Sequence, residues 1–254
     1  MSVSLPLGAV EATMLAGVRI AAFLVIAPPF SHRSIPGRIK AMLAIGLALA
    51  VSPRLDADAV ASASTAGFVV DLLLQVVIGG ALGFLVALVF AAVQSAGNLI
   101  DLFGGFQMAA AFDPMSQTNG AQFARLYTFT AVVLLFASNG YQLLIAGLVR
   151  TFDALPIGAS LDLATLADTA TTGLTQMFVS AVQIAGPLLV VLFLTDVGLG
   201  LLTRVSPALN AFALGFPLKI LMTISFASFA YLAMPGIIDG MLGTAVRDLV
   251  GVAR

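Results

Sequence analysis

Residues 72–100 run for 29 positions without a charged side chain, and residues 126–149 do so for 24. About 20 apolar residues cross a bilayer core, whereas a core helix of a soluble protein seldom needs more than about 10–14 in a row. At ~1.5 Å rise per residue the first run is ~43 Å of helix against a hydrocarbon thickness of ~30 Å, so it must tilt, bend or protrude. Its Gly79 and Gly83 form a G-x-x-x-G face that lets another helix approach closely, and ordinary tight packing is the expected use. Four further apolar runs follow the same logic. Residues 9–30 are interrupted by Arg19 and end at Pro28-Pro29, and residues 38–52 are short for a span. Residues 173–195 contain Pro187, which removes a backbone hydrogen bond and predicts a kink. Residues 214–234 carry Lys219 and stop at Pro235-Gly236, leaving 237–254 as a short amphipathic helix. The expected fold is all-α and of the integral-membrane type, with five strong hydrophobic helices and one or two lesser ones.

Composition removes several function classes. The chain is 60% hydrophobic and 9% charged, far from the roughly one-quarter charged residues of soluble domains. Eleven basic and 12 acidic residues leave a net charge of −1, so no basic field is present to hold nucleic acid. There is no cysteine and a single histidine, His32, which excludes disulfide staples, thiolate nucleophiles and Cys/His metal clusters. No Walker loop or dinucleotide fingerprint occurs. The start, MSVSLPLGAVEA, lacks a basic n-region and carries Glu11 early, so the first helix is expected to be retained. The interval SHRSIPGRIK, residues 31–40, holds His32, Arg33, Arg38 and Lys40 and no acid, which by the positive-inside rule places it in the cytoplasm.

Between the two longest runs lies IDLFGGFQMAAAFDPMSQTNGAQFAR, residues 100–125. Gly104 and Gly105 can take positive φ, Asp113-Pro114 disfavours helix before the proline, and residues 116–120 are turn formers ending in Asn119-Gly120. A helix is not expected to pass through unbroken. Yet Phe103, Phe106, Met108, Phe112 and Met115 make the interval apolar, which a loop facing water does not need. It is expected to pack against protein or to line a lumen.

Arg19, Asp71, Arg125, Asp196 and Lys219 lie inside or at the edges of apolar runs, where a charge normally faces a partner or water. Asp196 precedes Arg204 by eight residues, roughly on one helical face if the helix continues. Two membrane aspartates could form an aspartyl-protease dyad. However, Asp71 begins its run instead of lying within it, and the glycines follow Asp196 in the reverse of the order such enzymes use. A serine–histidine dyad is weaker still, because His32 sits in a basic loop.

The spacing of punctuation is more specific. PPFSHRSIPGRIKAMLAIGLALAVSP (28–53), the 105–120 interval with Phe112-Asp113-Pro114, NGYQLLIAGLVRTFDALPIG (139–158) and GLGLLTRVSPALNAFALGFPLKI (198–220) stand in one order over the chain. Together they resemble the FliR family of flagellar export-gate proteins and its virulence-secretion counterparts. The resemblance implies a non-enzymatic, cofactor-free subunit built of broken helical hairpins, with residues 1–150 FliP-like, 151–172 a connection and 173–254 FliQ-like. It implies hetero-oligomeric assembly with FliP and FliQ, and with FlhB and FlhA, into a closed-state pore for unfolded polypeptides in the bacterial inner membrane at the flagellar basal body. The family's pore plug maps to Gly104, Gly105, Phe106, Met108, Phe112, Asp113, Pro114, Met115, Asn119 and Gly120. Arg204, Pro207, Asn210 and Lys219 match its C-terminal block, expected to serve helix bending and FliQ-side contacts. A self-contained proton-coupled transporter of a small solute is the competing reading, with Asp196, Arg125 and Lys219 as coupling charges.

Overall fold

A computed structural model describes residues 7–55, 65–107, 121–159, 161–206 and 211–251. These residues form helices and turns: α1 (Leu7–Ile26), α2 (Gly37–Val51) followed by a 3₁₀ turn (Ser52–Arg54), α3 (Thr65–Phe103), α4 (Gln122–Ala137), α5 (Gly140–Ala154), α6 (Leu163–Val205) and α7 (Ala211–Gly251). Helices α1, α3 and α6 are long and apolar enough to cross a membrane, and α4 with α5 would supply a fourth, broken span.

The punctuation acts differently from the sequence expectation at three places. The uncharged run 126–149 is not one helix but two, bent by 75° where α4 gives way to α5. Asn139 takes φ 56°, a left-handed conformation that asparagine tolerates better than most residues. The connection expected over 151–172 is shorter, because α5 runs on to Ala154 and α6 already begins at Leu163. Asp162 caps that start, accepting the Ala164 amide at 3.0 Å and the Thr165 hydroxyl at 2.5 Å. Finally, the stop at Pro235-Gly236 does not occur: α7 continues through Pro217 and Pro235 to Gly251, so there is no separate tail helix among the described residues. A proline forfeits one intrahelical bond, and long flanking helix on both sides retains the rest. Pro187 lies within α6, as the run 173–195 implied.

The chain divides into two compact units, one drawn from Met1–Val89, Asn139–Leu174 and Leu242–Arg254, the other from Phe90–Ser138 and Thr175–Met241. In the first, α1 buries Ala12, Leu15, Ala16, Arg19, Ile20, Phe23 and Leu24, an i, i+3, i+4 stripe on one face. Gly79 and Gly83 of α3 receive that face: a β-carbon on Gly83 would lie 3.0 Å from the Phe23 carbonyl oxygen. Lipid tails are as apolar as leucine, so helices in a bilayer associate through such close contact and not through water exclusion. The glycine pair is therefore used for packing, as the sequence suggests. In the second unit, Val93, Ala96 and Ile100 of α3, Tyr127 and Leu135 of α4, and Ile184 and Leu188 of α6 are buried.

Much of the surface is apolar. Phe178, Phe193 and Val205 of α6 are 64–84% exposed, and Leu221, Ile224 and Leu232 of α7 are also open. So many exposed large apolar side chains belong against lipid or another subunit.

Candidate functional site

The interval 104–120 leaves from one helix end and returns to another, and both ends lie in the second unit. Helix α3 closes with the Gly104 amide donating to the Ile100 carbonyl at 2.8 Å, and Gly105 takes φ +83°, the left-handed turn that stops a helix at low cost for glycine. No room is left around Gly104, whose missing β-carbon would meet both the Ile100 carbonyl oxygen and Thr223 Oγ1 at 2.7 Å.

Asp101, on the last turn of α3, fixes the returning end. Its Oδ1 accepts the Phe123 amide and its Oδ2 the Ala124 amide, each at 3.0 Å, so one fully buried carboxylate caps the first turn of α4. Those amides have no partner within α4, and the helix dipole favours an anion there. Gly97, one turn earlier, lets the helices come together, since its β-carbon would lie 2.4 Å from Ala124 Cα.

An aromatic file extends from this clamp. Phe106 meets Phe123 edge-on at 5.2 Å, Phe123 meets Tyr127 at 6.1 Å, and Tyr127 meets Tyr231 of α7 at 5.7 Å. The Tyr231 hydroxyl is hydrogen-bonded to Thr130 Oγ1. Edge-to-face pairs of this kind contribute about 0.5–1.5 kcal/mol each beyond their buried area.

Of the residues assigned to the plug, Gly104, Gly105 and Phe106 stand at this clamped root, while Met108, Phe112, Asp113, Pro114, Met115, Asn119 and Gly120 lie outside the described residues. Pro207 and Asn210 do too. Helix α6 continues to Val205 and so carries both Asp196 and Arg204, and Asp196 finds its partner in Lys219 of α7 at 2.8 Å. Arg125 and Arg204 are exposed and Asp71 is half-buried.

Arg19 is a different matter. It lies fully buried in the first unit, with Nε donating to Gln75 Oε1 at 2.7 Å, Nη1 to the Thr151 carbonyl at 3.2 Å and Nη2 to the Leu155 carbonyl at 3.0 Å. Its guanidinium also sits 4.3 Å from the Phe152 ring centroid. It neither snorkels nor forms an ion pair; it closes the C-terminal end of α5, where the dipole favours a cation.

Sequence reasoning passed over Asp101, Gln75, Tyr127 and Tyr231. A signal existed for Asp101, because it ends the 29-residue uncharged run. The tyrosines carried none.

Comparison with known proteins adds the following. The family described as "Bacterial export proteins, family 1" matches residues 10–245. The flagellar biosynthetic protein FliR of Escherichia coli K12 is 38% identical over 213 residues, 82% of this chain and 79% of that one. FliR of Bacillus subtilis is 28% identical over 212 residues, 82% of each chain. The Yop proteins translocation protein T of Yersinia pestis is 27% identical over 147 residues, 57% of this chain and 56% of its own.

Proposed function

This chain belongs to the FliR family of bacterial export proteins, and from that premise we propose that it is a core, non-enzymatic subunit of the flagellar type III export gate. With FliP and FliQ it forms the closed-state pore through which unfolded flagellar polypeptides leave, in the inner membrane at the basal body, with FlhB and FlhA as neighbours. The observation that carries this beyond family membership is the root of the 104–120 interval. A glycine pair ends α3 on one side of the interval, and on the other the Asp101 carboxylate caps the start of α4, so both flanks meet at one side chain.

That arrangement suits a plug. Phenylalanine and methionine in the interval can seal a lumen by adaptable apolar packing. Exposed apolar faces on α6 and α7 suit burial against sister subunits. Asp196 and Lys219, 49% and 21% exposed, remain accessible to such a subunit. The FliP-like part (1–150) and the FliQ-like part (173–254) belong to this proposal; the two compact units each draw on both, so the division concerns ancestry and not contact.

Two measurements test the reading. Co-expression with FliP and FliQ should yield one complex by native mass analysis, and recovery of a functional lone chain in lipid overturns it. Deleting residues 105–111 should make membranes carrying the gate leak small ions, and unaltered conductance removes the plug.

A further inference from the structure

Helix α1 has a second face. While one stripe packs on α3, Ala9, Val10, Thr13, Met14, Gly17, Val18 and Ala21 line an open groove of about 570 Å³ within the first unit, facing α2 and the start of α3. Gly17 and the alanines at 41, 44 and 48 keep its floor low. The Gly17 β-carbon position is only 3.6 Å from Ala48 Cβ, so the two helices are in contact beneath the opening. Val10, Met14, Ile45 and Leu49 on its rim are 41–60% exposed. The Thr13 hydroxyl is already committed to the Ala9 carbonyl at 2.7 Å, which leaves mid-groove little to hydrogen-bond.

Lining suits the occupant. From Ala9 to Ala21 the groove extends about 18 Å at ~1.5 Å per residue, lined by apolar side chains apart from Thr13 and Ser52. A hydrocarbon chain matches that length and lining.

Charge selects the headgroup. The end of the groove at Ala21 and Ala41 leads to residues 31–40, with His32, Arg33, Arg38 and Lys40 and no acid. Arg38 continues the α2 stripe one turn before Ala41 and is exposed. The one ion pair among the described residues is Lys219–Asp196, so Arg33, Arg38 and Lys40 have no acidic partner among them. Helix α2 also begins without a side-chain cap, so its first turn adds partial positive charge.

We propose that the α1–α2 groove holds one acyl chain of an anionic phospholipid whose phosphate lies against Arg38 and Lys40. The site is a lipid clamp on the first unit, and it does not depend on the export reading.

The test uses the membrane-extracted protein with its co-purifying partners, reconstituted in phosphatidylcholine nanodiscs with a phosphatidylglycerol analogue bearing a photoreactive acyl chain. Label should map to residues 9–21 and 41–52 and be competed by phosphatidylglycerol but not by phosphatidylcholine. Arg38→Gln and Lys40→Gln should each weaken that competition about fivefold, the effect of one basic side chain at an anionic surface. Ala41→Phe should abolish labelling and Ala41→Ser should retain it, which separates groove filling from misfolding. Equal competition by both lipids, label confined to other helices, cross-linking of the groove to a partner protein, or labelling that appears only after residues 1–6 are removed would each overturn the proposal.

Discussion

A β-carbon on Gly79 would lie 2.1 Å from the carbonyl oxygen of Arg19, so α1 and α3 touch backbone to backbone at the residue whose side chain closes α5. The close approach and the buried guanidinium are one construction: the glycine brings α1 near enough for Arg19 to reach Gln75.

Gly79→Ala should therefore destabilise strongly. Overpacking costs about 1–3 kcal/mol, and the upper end is expected because the obstacle is backbone and not a side chain that can rotate. Denaturant titration in detergent checks this, and a loss below about 0.5 kcal/mol refutes the contact.

Arg19→Lys should fail to restore what Arg19→Met removes. A lysine ammonium cannot reproduce a planar fork reaching Gln75 and two carbonyls, so both variants should lose on the order of 3 kcal/mol. Amide exchange at the end of α5 should accelerate in each; protection in the lysine variant would show that charge alone suffices.

Asp101→Ala removes a cap whose loss typically costs about 1–2 kcal/mol, and Asp101→Asn, retaining one acceptor, should cost less. The discriminating signal is faster exchange at the Phe123 and Ala124 amides. If deletion of the carboxylate leaves those amides protected, the clamp at the root of the interval is wrongly assigned.

The start of α6 should loosen in acid. The Thr165 hydroxyl, then the Ala164 amide, hold the Asp162 carboxyl below its ordinary range. A depressed folded value means that the stabilisation is present above the unfolded value of about 3.9 and disappears as pH falls through the folded one. Protection of the Ala164 and Thr165 amides, taken relative to their intrinsic exchange at each pH, should fall over that window and stay constant there in Asp162→Asn.

Asp196→Leu should leave the isolated chain nearly as stable, because a half-exposed ion pair contributes only about 0–1 kcal/mol, yet weaken co-purification with partner subunits. An unchanged yield of complex would confine the pair to a local role.

Residue order alone determined that the chain is helical and suited to a membrane, since 29 uncharged residues have few other uses, and its punctuation determined the family. It also marked the Gly79–Gly83 contact and the break at Gly104-Gly105, because a glycine's freedom is local and visible in one dimension. What needed the third dimension was partnership. Whether Arg19 meets a carboxylate or the carbonyls of Thr151 and Leu155, and that Asp196 meets Lys219, depends on which helices lie side by side. Asp101 reaches amides 22 and 23 residues away. Pro235 misled for a related reason: a proline removes one helical hydrogen bond, and whether helix resumes beyond it is set by packing that no local signal records.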